Sequence, residues 1–422
     1  AYRGAGRPEA TYAVERAVDL FAAEIGMDPA DVRKKNFIPP FDDGYEVATT
    51  VSYDSGNYIA SFEKALKMVG YDDFRKEQKQ ARDNGKLLGI GLSSYVEICG
   101  AAPSAVAGTL GARAGLWESA NVRIHMTGKV SVFTGSSAHG QGHETAFAQI
   151  VSSELGIPVE DIDVIHGDTS QIQMGTGSFG SRSAAVGGSA IHLSTQKIKD
   201  KAKKLAAHIL EASEEDIVFE DGKLFVQGAP SEGKTIQEIA LSSYYYTEDI
   251  PEDMEPGLEA MSFFDPKNFT WPGGTHIAVV EIDDSTGEVT LLRYIAVDDV
   301  GNVINPMIVD GMVHGGAAQG IGQALQEEAI YDDSGQLLTG SMLDYAVPRA
   351  WDMPMYELDR TVTPTPVNPM GVKGAGETAT IAGSPAVINA VVDALSPYGV
   401  RHIDMPAKAE KVWRLMQNSD GD

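Results

Sequence analysis

A chain of 422 residues is too long for one ordinary hydrophobic core, so two or more compact units are expected. With 43% hydrophobic and 22% charged residues it reads as globular, and no apolar run is long enough to span a bilayer. A formal charge of −27, from 60 acidic and 33 basic residues, argues against nucleic acid and anionic membrane as partners, since both call for a basic surface. The first helix is expected over Pro8–Ile25, with Val14, Val18, Phe21 and Ile25 on one apolar face and Gly26 ending it. Asp28-Pro29 opens a second, short helix with Asp28 as its N-cap. Asn57–Val69 repeats the pattern, turning Ile59, Phe62, Leu66 and Val69 inward. Leu87–Ile98 reads as a strand, and Asn121–His125 with Val130–Thr134 as a hairpin. A helix at Glu144–Leu155, a strand at Asp161–Ile165, a long helix at Ala184–Ala212 and a hairpin at Val218–Val226 follow. Thr275–Ile282 and Glu288–Val297 form a strong strand pair. Helices at Ile308–Leu325, Pro385–Leu395 and Pro406–Met416 complete the chain. This mixture of hairpins and helices predicts an α+β fold. Boundaries are expected in the Ala- and Gly-rich stretch Ala101–Leu116 and in the acidic loop before Trp271.

The single cysteine, Cys99, allows no disulfide within the chain and fits a reducing, cytoplasmic setting. It also cannot hold an iron–sulfur cluster, which usually takes four ligands, so any such cluster must lie on another chain.

Four glycine-rich loops precede predicted helices: Arg3–Gly6, His139–Thr145, Gly175–Ser183 and Gly371–Glu377. Glycine lets backbone N–H groups approach an anion, and a helix start adds a favourable dipole. Read singly, each is also an ordinary tight turn. His139 and His143, four apart beside Glu144, raise a zinc hydrolase as an alternative, although the order is not His-Glu-x-x-His and no third ligand is evident. Glu377 alone reads as an acid favouring the dipole of a helix start.

In order and wording, the four loops together resemble the large subunits of the xanthine oxidase and aerobic carbon monoxide dehydrogenase family, in its carbon-monoxide-dehydrogenase-like form II branch. Ala1–Arg7 (Ala-Tyr-Arg-Gly-Ala-Gly-Arg) is similar to that family's active-site loop, and Gly140–Thr145 and Ser181–Ser183 to segments that hold the pterin. Asp298–Pro306, His314–Gly316, Gln319–Gly322 and Gly371–Glu377 are also in the family's style. The resemblance implies the C-terminal half of such a subunit: residues 1–115 as part of the first molybdopterin-binding domain and 116–422 as the second, in two α/β subdomains with a seam near 260–275. It implies molybdenum carried by molybdopterin cytosine dinucleotide, held through the pterin dithiolene with no protein ligand to the metal.

On this resemblance Glu377 is the general base and Arg3 a charged group at the catalytic centre. Gly4, Ala5, Gly140, Gln141, Gly142, His143, Thr145, Gly180, Ser181, Arg182, Ser183, Asp298, Asn302, Ile304, Asn305, Lys373 and Gly374 are implied as the cofactor's contacts. The family's carbon monoxide oxidisers carry Cys where this chain has Gly4, and its xanthine oxidisers carry Phe where it has Ala5. The implied activity is therefore oxidation of an N-heterocyclic aromatic or an aldehyde, with water as the oxygen source. Expected partners are an N-terminal molybdopterin-binding chain or segment carrying a Gly-Gly-Gly-Phe-Gly loop, a small [2Fe–2S] subunit and a medium FAD subunit, in a dimer of the heteromer. A non-catalytic scaffold chain is the other reading, and the presence of Glu377 argues against it.

Overall fold

The computed structural model describes residues 2–49, 51–109, 111 and 115–418. Ala1 and parts of the Ala101–Leu116 stretch lie outside the described residues.

The first segment holds α1 (Arg7–Glu24), α2 (Pro29–Asn36), a short ribbon of β1 (Tyr45–Glu46) and β2 (Ser52–Tyr53), α3 (Tyr58–Val69), α4 (Tyr71–Asp83), β3 (Leu87–Val96) and α5 (Ser104–Thr109). The middle holds β4 (Glu118–Ile124), β5 (Val130–Thr134), α6 (His143–Leu155), β6 (Ile162–His166), α7 (Ser189–Ile209), β7 (Ile217–Glu220), β8 (Lys223–Val226), β9 (Lys234–Thr235), α8 (Ile236–Tyr245) and β10 (Leu258–Phe264). The last holds β11 (Gly273–Ile282), β12 (Val289–Asp299), α9 (Pro306–Leu325), β13 (Tyr356–Thr361), α10 (Thr378–Ala394) and α11 (Ala409–Asn418). The fold is mixed helix and sheet, as the α+β reading expects.

Two four-stranded sheets organise the chain, in the orders β13-β12-β11-β3 and β10-β4-β5-β6. In the first, period-two alternation divides β11 between two layers. Ile277 and Val279 pack with Phe62, Ala65 and Phe74 of α3 and α4, while Ala278 and Val280 pack with Ala386, Ile388 and Ala390 of α10. In the second, α6 and α7 cover Val122, Ile124, Val130 and Val132 with Phe147, Val151, Ile191 and Ile198. The chain crosses from one sheet to the other between Phe264 and Gly273. Strand β3 is completed by β11 from beyond residue 270, so residues 1–115 do not make a self-contained layer.

Glycine seats α10 on its sheet. A Cβ at Gly91 would lie 2.1 Å from the Ala386 carbonyl oxygen, and one at Gly89 2.0 Å from that of Ala390. The helix therefore rests backbone to backbone on β3, which sets where its first residue, and Glu377 before it, must lie.

Several expectations need correction. In α1 the apolar stripe faces outward: Val14 is 60% and Phe21 55% exposed. The buried side carries Glu15 and Arg16 instead, because Arg33 of α2 pairs with Glu15 at 2.6 Å and Arg16 reaches Asn389 of α10 at 2.5 Å. Those exposed residues line an open groove of about 580 Å³ with Phe37, Tyr53 and Tyr58. Helix α10 begins seven residues before Pro385, which sits inside it. The helix expected at Ala184–Ala212 begins as a π-helical turn, Ser183–Gly188, that runs into α7.

Candidate active site

Three of the four glycine loops meet at Glu377. The residue stands at the N-cap of α10, and its side chain does not cap its own helix. It turns away to three donors from distant parts of the chain. Gly4 N–H donates to Oε1 at 3.1 Å, while Arg7 Nη2 and Ser181 Oγ donate to Oε2 at 2.6 and 2.8 Å. Burial works to raise the Glu377 carboxyl, but the charge of Arg7, the Gly4 amide and the Ser181 hydroxyl outweigh it and hold the group below the ordinary glutamate range.

The Gly4 loop is shaped for this contact. Gly4 has φ +95°, and a Cβ there would lie 2.5 Å from the Pro8 ring, so no side chain fits without rebuilding the turn. Arg7 begins α1, donates through Nε to the Gly4 carbonyl at 2.6 Å, and reaches Glu97 with Nη1 at 2.8 Å. Its guanidinium thus lies between two carboxyl groups.

Arg3 is spent on the scaffold. Its Nε donates to the Gly376 carbonyl at 2.6 Å, Nη1 to Gln319 Oε1 at 3.2 Å and Nη2 to the Met312 carbonyl at 3.0 Å. It ties the residue before Glu377 to α9 and braces Glu377 without bonding to it.

The fourth loop, His139–Gly142, lies at the start of α6. Gly142 is left-handed, and no N-cap side chain closes the helix; in the first turn the Glu144 carboxylate accepts its own N–H and pairs with His166 at 2.9 Å. Gly140 and His139 are exposed, as is Thr145. His143 is buried and stacked on Phe147 at 5.1 Å, its pKa lowered to about 4 by burial, and its Nδ1 has no hydrogen-bond partner. An uncapped helix start beside an open glycine turn, with an orphaned neutral ring nitrogen, suits an anionic group carrying polar edges, as a phosphate-bearing pterin would. Helix α6, not the loop itself, is tied to α9: Asn305, the N-cap of α9, donates its amide to Gln149 Oε1 of α6 at 2.8 Å.

Other expected cofactor contacts are turned inward. Asp298 is 3% exposed and accepts from Tyr95 at 2.6 Å, with His276 Nε2 at 3.0 Å from the same oxygen. Lys373 is buried, donating to the carbonyls of Ser55 and Trp271 at 2.8 and 3.1 Å beside Asp54. Arg182 is wholly buried against Glu118 at 2.6 Å. The side chains of these three are committed within the protein and hold the loops' shape. The Asn302 amide is likewise bonded to the Met370 carbonyl at 2.8 Å. Ala5, Gly180 and Ile304 remain at least partly accessible, whereas Gly374 is buried and Ser183 is 8% exposed, with its hydroxyl 2.8 Å from that of Ser178.

Arg7 ends the Ala1–Arg7 stretch that marks the active-site loop, but its bond to Glu377 is not legible there. Two further neighbours of the site carry no such mark. Glu97 follows an apolar strand, which is the one signal that could have marked it. Cys99, far from the loops in sequence, lies against them: a Cβ at Gly374 would come within 2.9 Å of its Sγ. Burial pushes that thiol well above its ordinary range. A zinc site needs a third ligand beside His139 and His143, and among the described residues no group of three or more His, Cys, Asp or Glu is placed to hold a metal.

A model of the molybdopterin cofactor-binding domain matches residues 64–354, and a second of the same description matches residues 1–37. The carbon monoxide dehydrogenase large chain of Hydrogenophaga pseudoflava is 42% identical over 421 residues, 99% of this chain and 52% of that protein. The nicotine 6-hydroxylase large subunit of Paenarthrobacter nicotinovorans is 37% identical over 98% of this chain and 50% of its own length. The solved structure of quinoline 2-oxidoreductase from Pseudomonas putida 86 superposes with a TM-score of 0.92 at 38% identity, covering 99% of this chain and 53% of that one. The chain thus spans about half the length of the relatives it matches. From the matched domains, the shared fold and the loops gathered at Glu377, the chain belongs to the molybdopterin cofactor-binding family, among the carbon-monoxide-dehydrogenase-like large subunits of the xanthine oxidase group.

Proposed function

We propose that this chain is the catalytic portion of a molybdenum hydroxylase that oxidises an N-heterocyclic aromatic or an aldehyde, with Glu377 as general base and water as the oxygen source. The observation that supports it is the convergence of two distant loops, through Gly4, Arg7 and Ser181, on the carboxylate that a third loop carries as Glu377. The bound cofactor, as the cytosine dinucleotide, supplies a two-electron acceptor and a Lewis acid that makes the attacking water more acidic.

The rest is done by the chain. Arg7 and Ser181 both donate to Oε2, whereas Oε1 takes the Gly4 N–H, which leaves it lone-pair capacity to receive a proton. The low proton affinity of Glu377 keeps it ionised and ready at neutral pH. Arg3 fixes Gly376 and hence the aim of Glu377. The amides of the His139–Gly142 loop, His143 and Ser181 would hold the cofactor's polar edge.

Carbon monoxide oxidation is not proposed, because Gly4 has no room for a thiol-bearing side chain and Cys99 is 1% exposed. Two relatives named for nicotine and quinoline favour heterocycles. The proposed assembly adds an N-terminal molybdopterin-binding segment, a [2Fe–2S] subunit and an FAD subunit, in a cytoplasmic dimer of the heteromer. Among the described residues no helix is long and apolar enough to cross a membrane. The test is Glu377→Gln in the assembled protein: metal and pterin content near wild type, with substrate-driven reduction of the metal centre sharply slowed. Reduction at the wild-type rate would falsify the assignment.

A further inference from the structure

Glu97 is 0% exposed, and one of its oxygens, Oε2, has no hydrogen-bond partner. The other receives Arg7 Nη1 at 2.8 Å, from the same guanidinium that holds Glu377 through Nη2 at 2.6 Å. One cation thus faces two acids. Burying two carboxylates and one guanidinium would leave an uncompensated negative charge in a site closed to water on the Glu97 side, which is costly. Arranging one ionised and one protonated acid around the cation removes that charge.

We propose that Glu97, Arg7 and Glu377 form a unit carrying one carboxylate charge at a time, with Glu97 as the reserve counter-ion that keeps Arg7 in place when Glu377 accepts its proton. The idea rests on the reading of Glu377 as the base. Glu97 does not face the reacting atoms and acts through Arg7, so it is a positioning residue.

The groups that act on Glu97 agree with this division. Burial raises it, Arg7 lowers it, and the charge of Glu377 raises it again, to about 8, while Cys99 works the other way. Tyr95 and Arg3 also lie within its field. Because the two acids share Arg7, each titrates according to the other's charge. With Glu377 ionised, Glu97 keeps its proton. Once Glu377 is protonated, the repulsion is gone; the Glu377 proton leaves to solvent, to which its side chain is partly open, as the Glu97 proton passes to Glu377, so Glu97 carries the charge and Arg7 retains a partner.

The test uses infrared spectroscopy of the assembled protein carrying ¹³C-labelled glutamate, followed against pH. Wild type should show the carbonyl stretch of a buried protonated acid that disappears with a midpoint near 8. Glu97→Gln should lack it. Glu377→Gln, which keeps the shape but removes the charge, should move the midpoint down by about one pH unit or more. The pH profile of substrate-driven reduction should lose its inflection near 8 in Glu97→Gln. If Glu97→Gln does not assemble, the midpoint shift in Glu377→Gln still decides the matter. A missing band, or a midpoint indifferent to Glu377→Gln, overturns the shared-charge unit while leaving the base intact. A wild-type reduction rate in Glu377→Gln overturns the base, and the reserve role with it.

Discussion

Of the four glycine loops that lead into helices, two are finished in opposite ways. At the start of α10, loop 371–377 is closed by the protein's own groups. Arg3 holds Gly376, Gly4 and Ser181 hold Glu377, and Arg7 clamps it to Glu97. At the start of α6, the side-chain hydrogen bonds of loop 139–142 among the described residues are local, from His139 N–H to Gln141 Oε1 and between His139 Nδ1 and Gln141 Nε2 at 3.4 Å, and no N-cap side chain closes the helix. The same local grammar, glycine turn then helix, serves two purposes. On the proposed reading, a reacting group must be aimed before the substrate arrives, so its partners are built in. A cofactor would bring its own polar atoms, so the loop that receives it carries fewer bonds of its own.

The sharpest break in this comparison is Glu377→Gln. It should cut turnover by about 10²–10⁴-fold, because the amide keeps the packing but cannot take the proton. Cofactor content should stay near normal, since the open loop is elsewhere. Rapid mixing with substrate locates the loss in the reduction of the metal centre. A variant that instead loses the cofactor would show that the closed loop is a binding element like the open one.

Arg7→Met should follow in size. It removes the cation that faces Glu377 and Glu97, with a stability loss of about 1–3 kcal/mol for the unpaired acids. The sign of the pH effect is set by Glu377, whose folded-state proton affinity lies below the ordinary value. Its contribution to stability is present above the ordinary glutamate pKa and is lost as pH falls through the lower folded value. Without Arg7 that loss, and the acid limb of the reduction rate, should both move to higher pH. Melting temperature and rate against pH check the two parts.

Glu97→Gln tests the other acid through stability. Glu97 is raised from 4.5 to about 8, so wild type loses stability as pH rises between those values, the unfolded chain having already released that proton. The variant has no such titration. Its melting temperature relative to wild type should therefore climb across that window. A difference that stays flat with pH would mean that Glu97 is already ionised in the fold.

The smallest effect is expected at the open loop. His143→Ala should reduce cofactor loading several-fold, on the order of one lost hydrogen bond, about 1 kcal/mol. Activity per bound molybdenum should persist, as metal analysis alongside turnover would show. Full loading with no activity would move His143 to the closed loop's side of the comparison.

Much of the architecture could be read directly. The β11 and β12 pair, the β4–β5 hairpin, and the helices α3, α6 and α9 lie close to where periodicity and caps put them, because these patterns act over a few residues. Asp28 caps α2 as expected, accepting from Ala30 N–H at 2.7 Å. Glu377 was identified by the wording of its loop. The face of α1 was misread because a buried polar pair, Glu15 with Arg33, outranks an apolar stripe once α2 supplies the partner charge. Pro385 was taken as a helix start, but α10 tolerates it in its interior.

What the linear order of residues holds is local: turns, caps, alternation, and the identity of a loop. Which loops close on which groups depends on contacts between distant positions, 90 apart for Arg7 and Glu97, 196 for Ser181 and Glu377 and 370 for Arg7 and Glu377. Asp298 and Lys373 carry the right chemistry for a cofactor and are nonetheless turned inward, to Tyr95 and His276 and to the carbonyls of Ser55 and Trp271. Glu97 and Cys99 carry no local mark of a site and are brought to it. The reason is that a charge's role is set by its dielectric surroundings and its nearest opposite charge, and both are products of packing, here of α10 lying on the glycines of β3.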